Sequence, residues 1–127
     1  MNKKYAIISS IIFCIILSSC IRKVYSGDEG MVKINGTLKL IDYYGPPGYG
    51  ENPKEDQIEK YFTLFINPKN IGKYRDVTKI QLLWHSESVH EYLKANTNKI
   101  VSITGSYFYA ETGHHHTDIL INIIKIK

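Results

Sequence analysis

Alternating apolar and polar residues mark the first predicted element, a strand at residues 31–43. Apolar residues occupy alternate positions of this stretch, and polar residues fill the positions between them. The apolar set is Val32, Ile34, Leu38 and Leu40, and the polar set is Lys33, Asn35, Thr37 and Lys39. A period of two is typical of a strand with one buried face, and Gly36 indicates a bulge or bend within it.

The hydrophobic pattern further along the chain predicts four more strands and one helix. Runs of β-branched and aromatic residues predict strands at residues 61–66, 78–84, 99–109 and 117–127. Asn67-Pro68 is expected to stop the second of the five strands, and residues 51–59 and 69–75 are expected to be loops. A helix is predicted at residues 86–95, where capping-box spacing precedes an apolar side. The residues of that pattern are Ser88 and Glu91 for the cap and Val89, Tyr92 and Leu93 for the apolar side.

The order of three strands, one helix and two strands predicts a mainly β fold, a small five-stranded OB-like barrel. Its helix would lie between strands three and four. Gly36 and Gly105 fall near the middle of strands one and four, where barrel strands need a glycine or a bulge to bend. On strand three, Ile80, Leu82 and Trp84 share a face that should be buried. The alternative is an open α+β sheet with one packed helix.

The amino-terminal segment has the pattern of a bacterial export signal. Lys3 and Lys4 precede an apolar run at residues 6–17, and Leu-Ser-Ser-Cys at residues 17–20 resembles the lipobox of lipoprotein signals. We therefore predict a signal peptide at residues 1–19, lipid attachment at Cys20, a lipidated tether at 20–30 and one domain at 31–127. The alternatives are a retained single-pass anchor and an ordinary signal that is cut elsewhere.

This interpretation changes the charge and the cysteine content of the mature chain. The 127-residue chain has 16 basic and 12 acidic residues, and loss of Lys3 and Lys4 leaves 14 basic ones. So small an excess is not the clustered basic stripe of a nucleic-acid-binding protein, and we expect no nucleic-acid partner. Cys14 would leave with the signal and Cys20 would carry the lipid, so neither a disulfide nor thiolate chemistry is expected.

The predicted lipid makes a membrane the first expected partner. The residue after Cys20 is Ile21 and not an aspartate. That context resembles the outer-membrane default of enteric-type Gram-negative bacteria. In such a cell we expect the protein to be exported, anchored in the outer rather than the inner membrane, and to face the periplasm.

Three stretches of the domain carry a resemblance to a known family. Residues 45–51 read Gly-Pro-Pro-Gly-Tyr-Gly-Glu, residues 80–82 read Ile-Gln-Leu, and residues 110–120 read Ala-Glu-Thr-Gly-His-His-His-Thr-Asp-Ile-Leu. Over residues 32–120 the chain resembles the exported bacterial family called domain of unknown function 4431. The resemblance implies export and a shared fold, and it brings no established activity with it.

Two loops with unusual sequences are the candidate binding region. In an OB-type barrel the loop between strands one and two and the loop between strands four and five flank the binding face. Tyrosine rings there could stack on sugars or on side chains of a partner protein. The alternative is that these tyrosines pack the end of the barrel. The candidate binding residues are Tyr43, Tyr44, Pro46, Pro47, Tyr49, Tyr109, Glu111, His114, His115, His116 and Thr117.

The histidine run has two interpretations. On a strand, His114 and His116 would share one face and His115 would lie on the other. The first two could ligate Zn²⁺ or Cu²⁺, with a third ligand from Glu111, Asp118 or His85. Alternatively, one histidine is a buried hydrogen-bonding residue that fixes the turn, and no cofactor is bound. We favour this second interpretation for at least one of the three.

The leading functional hypothesis is a non-enzymatic cell-envelope lipoprotein that binds a protein or glycan partner. A second hypothesis is an envelope metal-binding protein that uses His114–His116, and a third is an immunity- or inhibitor-type protein that blocks a cell-wall hydrolase. No nucleophile elbow, phosphate-binding glycine loop or zinc-protease motif is present, so we expect no enzyme, and a hydrolase is the weakest hypothesis.

Overall fold

The computed structural model of the protein describes residues 30–127. The predicted signal peptide, Cys20 and all of the predicted tether except Gly30 lie outside the described residues. Five strands and one helix follow in chain order: β1 (Met31–Tyr44), β2 (Ile58–Ile71), β3 (Tyr74–Leu83), α1 (Glu87–Ala95), β4 (Ile100–Tyr109) and β5 (Ile119–Ile126). In the range from residue 30 to the end of the chain, no helix is both long and apolar enough to cross a membrane.

The strands form a closed barrel in the order β1-β2-β3-β5-β4. All neighbouring strands are antiparallel except β3 and β5, which are parallel. Strand β1 closes the barrel because residues 31–37 pair with β4 and residues 37–44 pair with β2. The predicted OB-like barrel, with one helix between strands three and four, is confirmed, and the open-sheet alternative is wrong.

The barrel interior is a close-packed aliphatic core. The core residues with no exposed surface are Leu38, Leu64, Ile80, Leu82, Leu93, Ile103, Ile119 and Ile121. Leu93 of α1 belongs to this set, and Val89 and Tyr92 of the same helix pack against it. The apolar side predicted for the helix is therefore the side that faces the barrel. Leu82 of β3 is fully buried, whereas Trp84, one residue beyond the end of β3, is only half-buried beside Phe62.

The two glycines predicted at bends are places where backbones approach closely. A Cβ atom on Gly105 would lie 2.2 Å from the carbonyl oxygen of Asn122, at a shift in the β4–β5 register. A Cβ atom on Gly36 would lie 2.6 Å from the carbonyl oxygen of Phe65. Only a residue without a side chain allows the strands to curve this tightly.

The structure corrects several predicted boundaries. Strand β2 continues through Asn67-Pro68 to Ile71, so the predicted stop is wrong and the predicted loop at residues 69–75 shrinks to a tight turn. The register with β3 shifts between Phe65 and Lys69, and a bulge of this kind tolerates proline because no ladder hydrogen bond is required of it. At the other end, β2 begins at Ile58, inside the predicted loop at residues 51–59.

Three further predictions are corrected by the surroundings of single residues. The N-cap of α1 is Ser86, whose side chain accepts from the backbone N–H of Val89, and not Ser88. Leu40, predicted on the buried face, is 44% exposed, because β4 separates from β1 before it. Strand β5 begins at Ile119, so the histidine run lies in a turn before the strand and not within it.

Residues on the outside of the barrel are also buried. Thr63, Gln81 and Leu120 are neighbours across β2, β3 and β5, and all three have almost no exposed surface. The side chain of Gln81 bonds to the backbone of the loop that joins β4 to β5. That loop therefore covers this part of the barrel wall and becomes a fixed surface.

Candidate functional site

One carboxylate, that of Glu59, fastens the β4–β5 loop to the start of β2, beside the β1–β2 loop. Glu59 lies on β2, opposite Tyr43 of β1. Its Oε1 is 2.5 Å from Nδ1 of His114 and its Oε2 is 2.8 Å from Nε2 of His116. The carboxyl side chain is only 15% exposed. The loop face is defined here as the surface formed by Tyr43, Tyr49, Glu59, His114 and His116.

The chemistry of Glu59 fixes where the protons lie. An ionised carboxylate only accepts hydrogen bonds, so each imidazole donates to it. This places a proton on Nδ1 of His114 and on Nε2 of His116. Each ring is thereby held in one orientation, whether it is neutral or charged.

The surroundings of Glu59 also decide its charge. Burial raises the pKa of the carboxyl group. The hydrogen bonds from His116 and His114, together with the charges of these rings, lower the pKa by more than burial raises it. The net result is a pKa below the ordinary value of 4.5, so Glu59 is ionised at neutral pH. Burial, and then the negative charge of Glu59, raise the pKa of the neighbouring Tyr61.

His116 is the buried member of the histidine run. Its side chain is 10% exposed, and its ring stacks on Tyr43 with centroids 4.5 Å apart and planes 7° from parallel. The hydroxyl group of Tyr43 is 2.8 Å from Oγ1 of the buried Thr63. These contacts hold the end of β1 against the loop that precedes β5.

Gln81 holds the same loop from below. Its Nε2 donates to the carbonyl oxygen of His114 at 3.1 Å, and its Oε1 accepts from the backbone N–H of His116 at 2.7 Å. The backbone N–H of Gln81 donates to Oγ1 of Thr117, which itself donates to the carbonyl oxygen of Ile119. The loop conformation is thus set by a buried side chain of the barrel wall.

The loop between β1 and β2 is held by a second carboxylate. Asp56 accepts from the backbone N–H groups of Gly48 and Gly50, both at 2.7 Å. Tyr49 lies between these two groups with a φ of 50°, in the left-handed region that non-glycine residues rarely adopt. The two hydrogen bonds that Asp56 accepts hold the backbone on both sides of Tyr49 and so offset this local strain.

The Tyr49 ring is the contact between the two loops. It meets the His114 ring edge-on, with centroids 6.1 Å apart. A Cβ atom on Gly113 would lie 2.6 Å from the ring of Tyr49, so Gly113 leaves the space that this ring fills. Both rings remain accessible, with Tyr49 44% exposed and the His114 side chain 55% exposed.

Several predicted binding residues lie elsewhere. Tyr44 follows Tyr43 in the strand and therefore points to the opposite face of the hairpin, beside Gly50. The hydroxyl group of Tyr109 accepts from the backbone N–H of Lys73 at the β2–β3 turn. Its ring packs on Tyr74, and the Lys73 ammonium group lies 4.5 Å from the ring centre.

The remaining predicted residues have supporting contacts. His115 faces away from Glu59: its Nδ1 accepts from the backbone N–H of Glu111, and its ring meets Phe108 edge-on. The Glu111 side chain is exposed beside a hollow that Phe108 also lines. The carbonyl oxygen of Pro46 accepts from the backbone N–H of Gln57 and closes the first loop, whereas Pro47 is exposed.

The structure does not assemble the predicted metal ligands. His114 and His116 do lie on the same side of the loop, but Nδ1 of His114 and Nε2 of His116 are both hydrogen-bonded to Glu59. Of the predicted third ligands, His85 bonds to Asn122 instead. Within residues 30–127, no group of three histidine, cysteine, aspartate or glutamate side chains has a geometry that could hold a metal ion. A zinc or copper site remains a prediction from the sequence.

Sequence reasoning missed Glu59, Gln81 and Asp56. Glu59 lies in a stretch assigned to a loop, and only the β1–β2 register brings it opposite Tyr43. Gln81 lies between Ile80 and Leu82 and has the parity of an outward residue, which usually means solvent. No local pattern marks Asp56, because the backbone N–H groups that it accepts from lie six and eight residues earlier in the chain.

Comparison with known proteins identifies one match. A family model described as Domain of unknown function (DUF4431) matches residues 79–127. This segment contains Gln81 and the histidine run but neither Glu59 nor the β1–β2 loop. No curated protein and no solved structure matches the chain.

Proposed function

Since this chain belongs, through residues 79–127, to the family described as Domain of unknown function (DUF4431), whose description names no activity, we propose its function from the loop face. We propose that the protein is a non-enzymatic cell-envelope lipoprotein whose loop face binds a glycan. The observation that carries the proposal is the pair of hydrogen bonds by which Glu59, on β2 beside the β1–β2 loop, fixes His114 and His116 of the β4–β5 loop.

Rigidity supports binding because a preformed surface loses little conformational entropy when a ligand arrives. Glu59, Asp56 and Gln81 hold the loops before any ligand is present. The surface lies between the β1–β2 and β4–β5 loops, where OB-type barrels bind oligonucleotides and oligosaccharides. The small net charge of the predicted mature chain favours a saccharide over a nucleic acid.

The exposed part of the loop face suits a sugar better than a protein. Its accessible groups are one tyrosine ring, Tyr49, and one imidazole, His114, with Gly113 between them. A tyrosine ring offers a flat apolar surface on which a pyranose can stack, and an imidazole offers a hydrogen-bonding group for a hydroxyl. A stable protein interface needs about 800 Å² from each partner, which is far more than two side chains.

Binding to purified saccharides tests the proposal. The full chain in detergent would be incubated with insoluble peptidoglycan and with immobilised neutral and amino-sugar oligosaccharides, and retention would be measured. We expect retention on at least one saccharide and an approximately fivefold loss for Tyr49→Ala, because one stacked ring contributes about 1 kcal/mol. Tyr44→Ala is the matched control, since Tyr44 is about equally exposed but lies on the other face.

Two results would contradict the glycan proposal. One is the absence of retention on every saccharide while the chain remains folded. The other is equal retention of the wild type and the Tyr49→Ala variant, which would place any binding outside the loop face.

The proposed anchor has its own test. Cys20→Ala should leave the precursor uncleaved and abolish incorporation of a palmitate analogue, because the lipid needs the thiol of Cys20. Cys14→Ala is the matched control and should leave incorporation unchanged. Labelling that persists in Cys20→Ala would refute the lipid attachment without affecting the glycan proposal.

A further inference from the structure

Among the described residues, 30–127, no strand lies along one edge of the second half of β1. Strand β4 pairs with β1 only as far as Thr37. The last hydrogen bonds on that side join the backbone of Leu38 to Lys99 and Asn98, at 2.9 and 2.6 Å. Beyond Leu38, β1 continues to Tyr44 with β2 on its other side alone.

The hydrogen-bonding phase of β1 shows which groups face the free side. Gly45 donates to the carbonyl oxygen of Gln57, so odd-numbered residues of this stretch point their backbone groups at β2. The even-numbered residues Leu40, Asp42 and Tyr44 point theirs the other way. Within residues 30–127 these three have no backbone partner on that side, and all three are exposed. We call them the open edge.

We propose that the open edge pairs with the open edge of a second copy of this chain, antiparallel, about a two-fold axis at Asp42. In this register Asp42 lies opposite the partner's Asp42, and Leu40 lies opposite the partner's Tyr44. All of these are hydrogen-bonded pairs, because in both copies the even-numbered residues point at the interface. The inference is independent of the proposed glycan binding.

The side chains around the open edge fit this register. Leu40 is 44% exposed and Tyr44 is 45% exposed, and the two-fold axis brings each against the other type, an aliphatic chain against an aromatic ring. Ile58, the neighbour of Tyr44 on β2, is also exposed and widens the apolar contact. Asp42 would repel its own copy, but Lys60 is 2.8 Å from each Asp42 carboxylate and offsets the charge.

A second copy is a better occupant than an unrelated peptide for a reason of symmetry. An antiparallel ladder centred on one residue is self-complementary, which is the requirement of a two-fold interface. The ladder is short, so the expected dimer is weak in dilute solution and is favoured where many copies share one surface.

A charge-swap experiment tests the pairing. Two differently tagged copies of the full chain would be co-expressed, and recovery of one tag with the other would be measured in a concentrated detergent extract, in which a weak dimer remains populated. One variant carries Leu40→Lys and Tyr44→Lys, and the other carries Leu40→Glu and Tyr44→Glu. The wild-type copies should co-purify, because their open edges are complementary.

The proposed register determines the result for each combination of variants. Two lysine variants place like charges directly opposite each other, as do two glutamate variants, so co-purification should fall at least tenfold in both combinations. A lysine variant with a glutamate variant places opposite charges together, so co-purification should return to within about threefold of the wild type. The same swap at Ile124, an exposed residue of β5, is the matched control and should change nothing.

Oxidative cross-linking tests the same register without charged substitutions. Asp42→Cys would bring two thiols together at the two-fold axis, where hydrogen-bonded antiparallel neighbours have Cα atoms about 5.5 Å apart, within disulfide range. A copper oxidant should convert this variant, but not wild type or Ile124→Cys, to a covalent dimer. The proposal is overturned if wild-type copies do not co-purify and Asp42→Cys does not cross-link, or if the two lysine variants co-purify as wild type does.

Discussion

The loop face depends on one residue, Glu59, which receives hydrogen bonds from two imidazoles. A buried carboxylate is costly unless its oxygens are bonded, and here both oxygens are. The Tyr43–His116 stack and the Tyr49–His114 contact both depend on ring orientations that Glu59 sets. Removing the charge of Glu59 should therefore loosen both loops at once.

Glu59→Gln should lower the free energy of unfolding at pH 7 by about 1–3 kcal/mol, because an amide cannot accept from both rings. The pKa of Glu59 is lower in the folded than in the unfolded chain. Its contribution is therefore fully present above the ordinary value of 4.5 and is lost as the pH falls through the lowered value. Urea unfolding between pH 7 and pH 2.5 should show the gap between wild type and variant closing below pH 4.5.

The exposed Glu111 provides the control for this measurement. Glu111→Gln should change the free energy of unfolding by less than about 0.5 kcal/mol at every pH. If the difference in the free energy of unfolding between wild type and Glu59→Gln does not change with pH, ionisation of Glu59 does not stabilise the fold.

Alanine substitutions of the histidines distinguish a structural role from a metal-binding role. His116→Ala should lower stability by about 1–3 kcal/mol with no metal present, because it removes a buried donor and the ring that covers Tyr43. His114→Ala should cost less, since its side chain is 55% exposed. Micromolar Zn²⁺ should leave the melting temperature of the wild type unchanged. A rise with Zn²⁺ that disappears in His116→Ala would restore the metal site predicted from the sequence.

At the scale of elements, the β4–β5 loop depends on one residue of β3. Gln81 satisfies the carbonyl group of His114 and the N–H group of His116, so it acts as a neighbouring strand would. The loop is ordered by the barrel wall beneath it together with its own side chains: His115 accepts from the backbone N–H of Glu111, and Thr117 bonds to the backbone of Gln81 and Ile119. This dependence predicts that a change at Gln81 is felt in the loop before it is felt in the core.

Gln81→Leu should lower the free energy of unfolding by about 1–3 kcal/mol, because two backbone groups lose their partners. The backbone amide of His116 should exchange with solvent at least tenfold faster, as measured by hydrogen exchange. Gln57→Leu is the control, since Gln57 is exposed and its change should leave the His116 amide unaffected. Unchanged exchange at His116 in Gln81→Leu would contradict the support given to the loop.

Sequence periodicity was sufficient for the barrel and insufficient for the loop face, for physical reasons. The alternation of Ile34, Leu38 and Leu82 reports which side of a strand is buried, and glycines at bends report curvature. The pairing of Tyr43 with Glu59 depends on register, which no local pattern encodes. The predicted end of β2 at Pro68 was wrong because proline interrupts a regular ladder of hydrogen bonds but is tolerated at a bulge.

For the whole molecule, stability resides in the barrel interior. Leu82 lies there with no exposed surface, among side chains from β2, β5 and α1. Leu82→Ala should cost about 2–5 kcal/mol in chemical unfolding, because it leaves a cavity that a closed barrel cannot collapse to fill. Ile124→Ala, at a residue 62% exposed, should cost less than about 0.5 kcal/mol. A cost below about 1 kcal/mol for Leu82→Ala would mean that the interior repacks freely.

The short parallel pairing between β3 and β5 is coupled to the state of the loop face. These strands pair only over Gln81–Leu83 and Leu120–Asn122, and Gln81 also holds the loop face. Opening of this narrow seam and release of the loop are therefore parts of one local unfolding event. Any ligand that binds the closed loop face must suppress that event by mass action. Occupancy of the face would thus slow deuterium uptake at Ile121, whose backbone groups point at β3 and which lies outside the loop face.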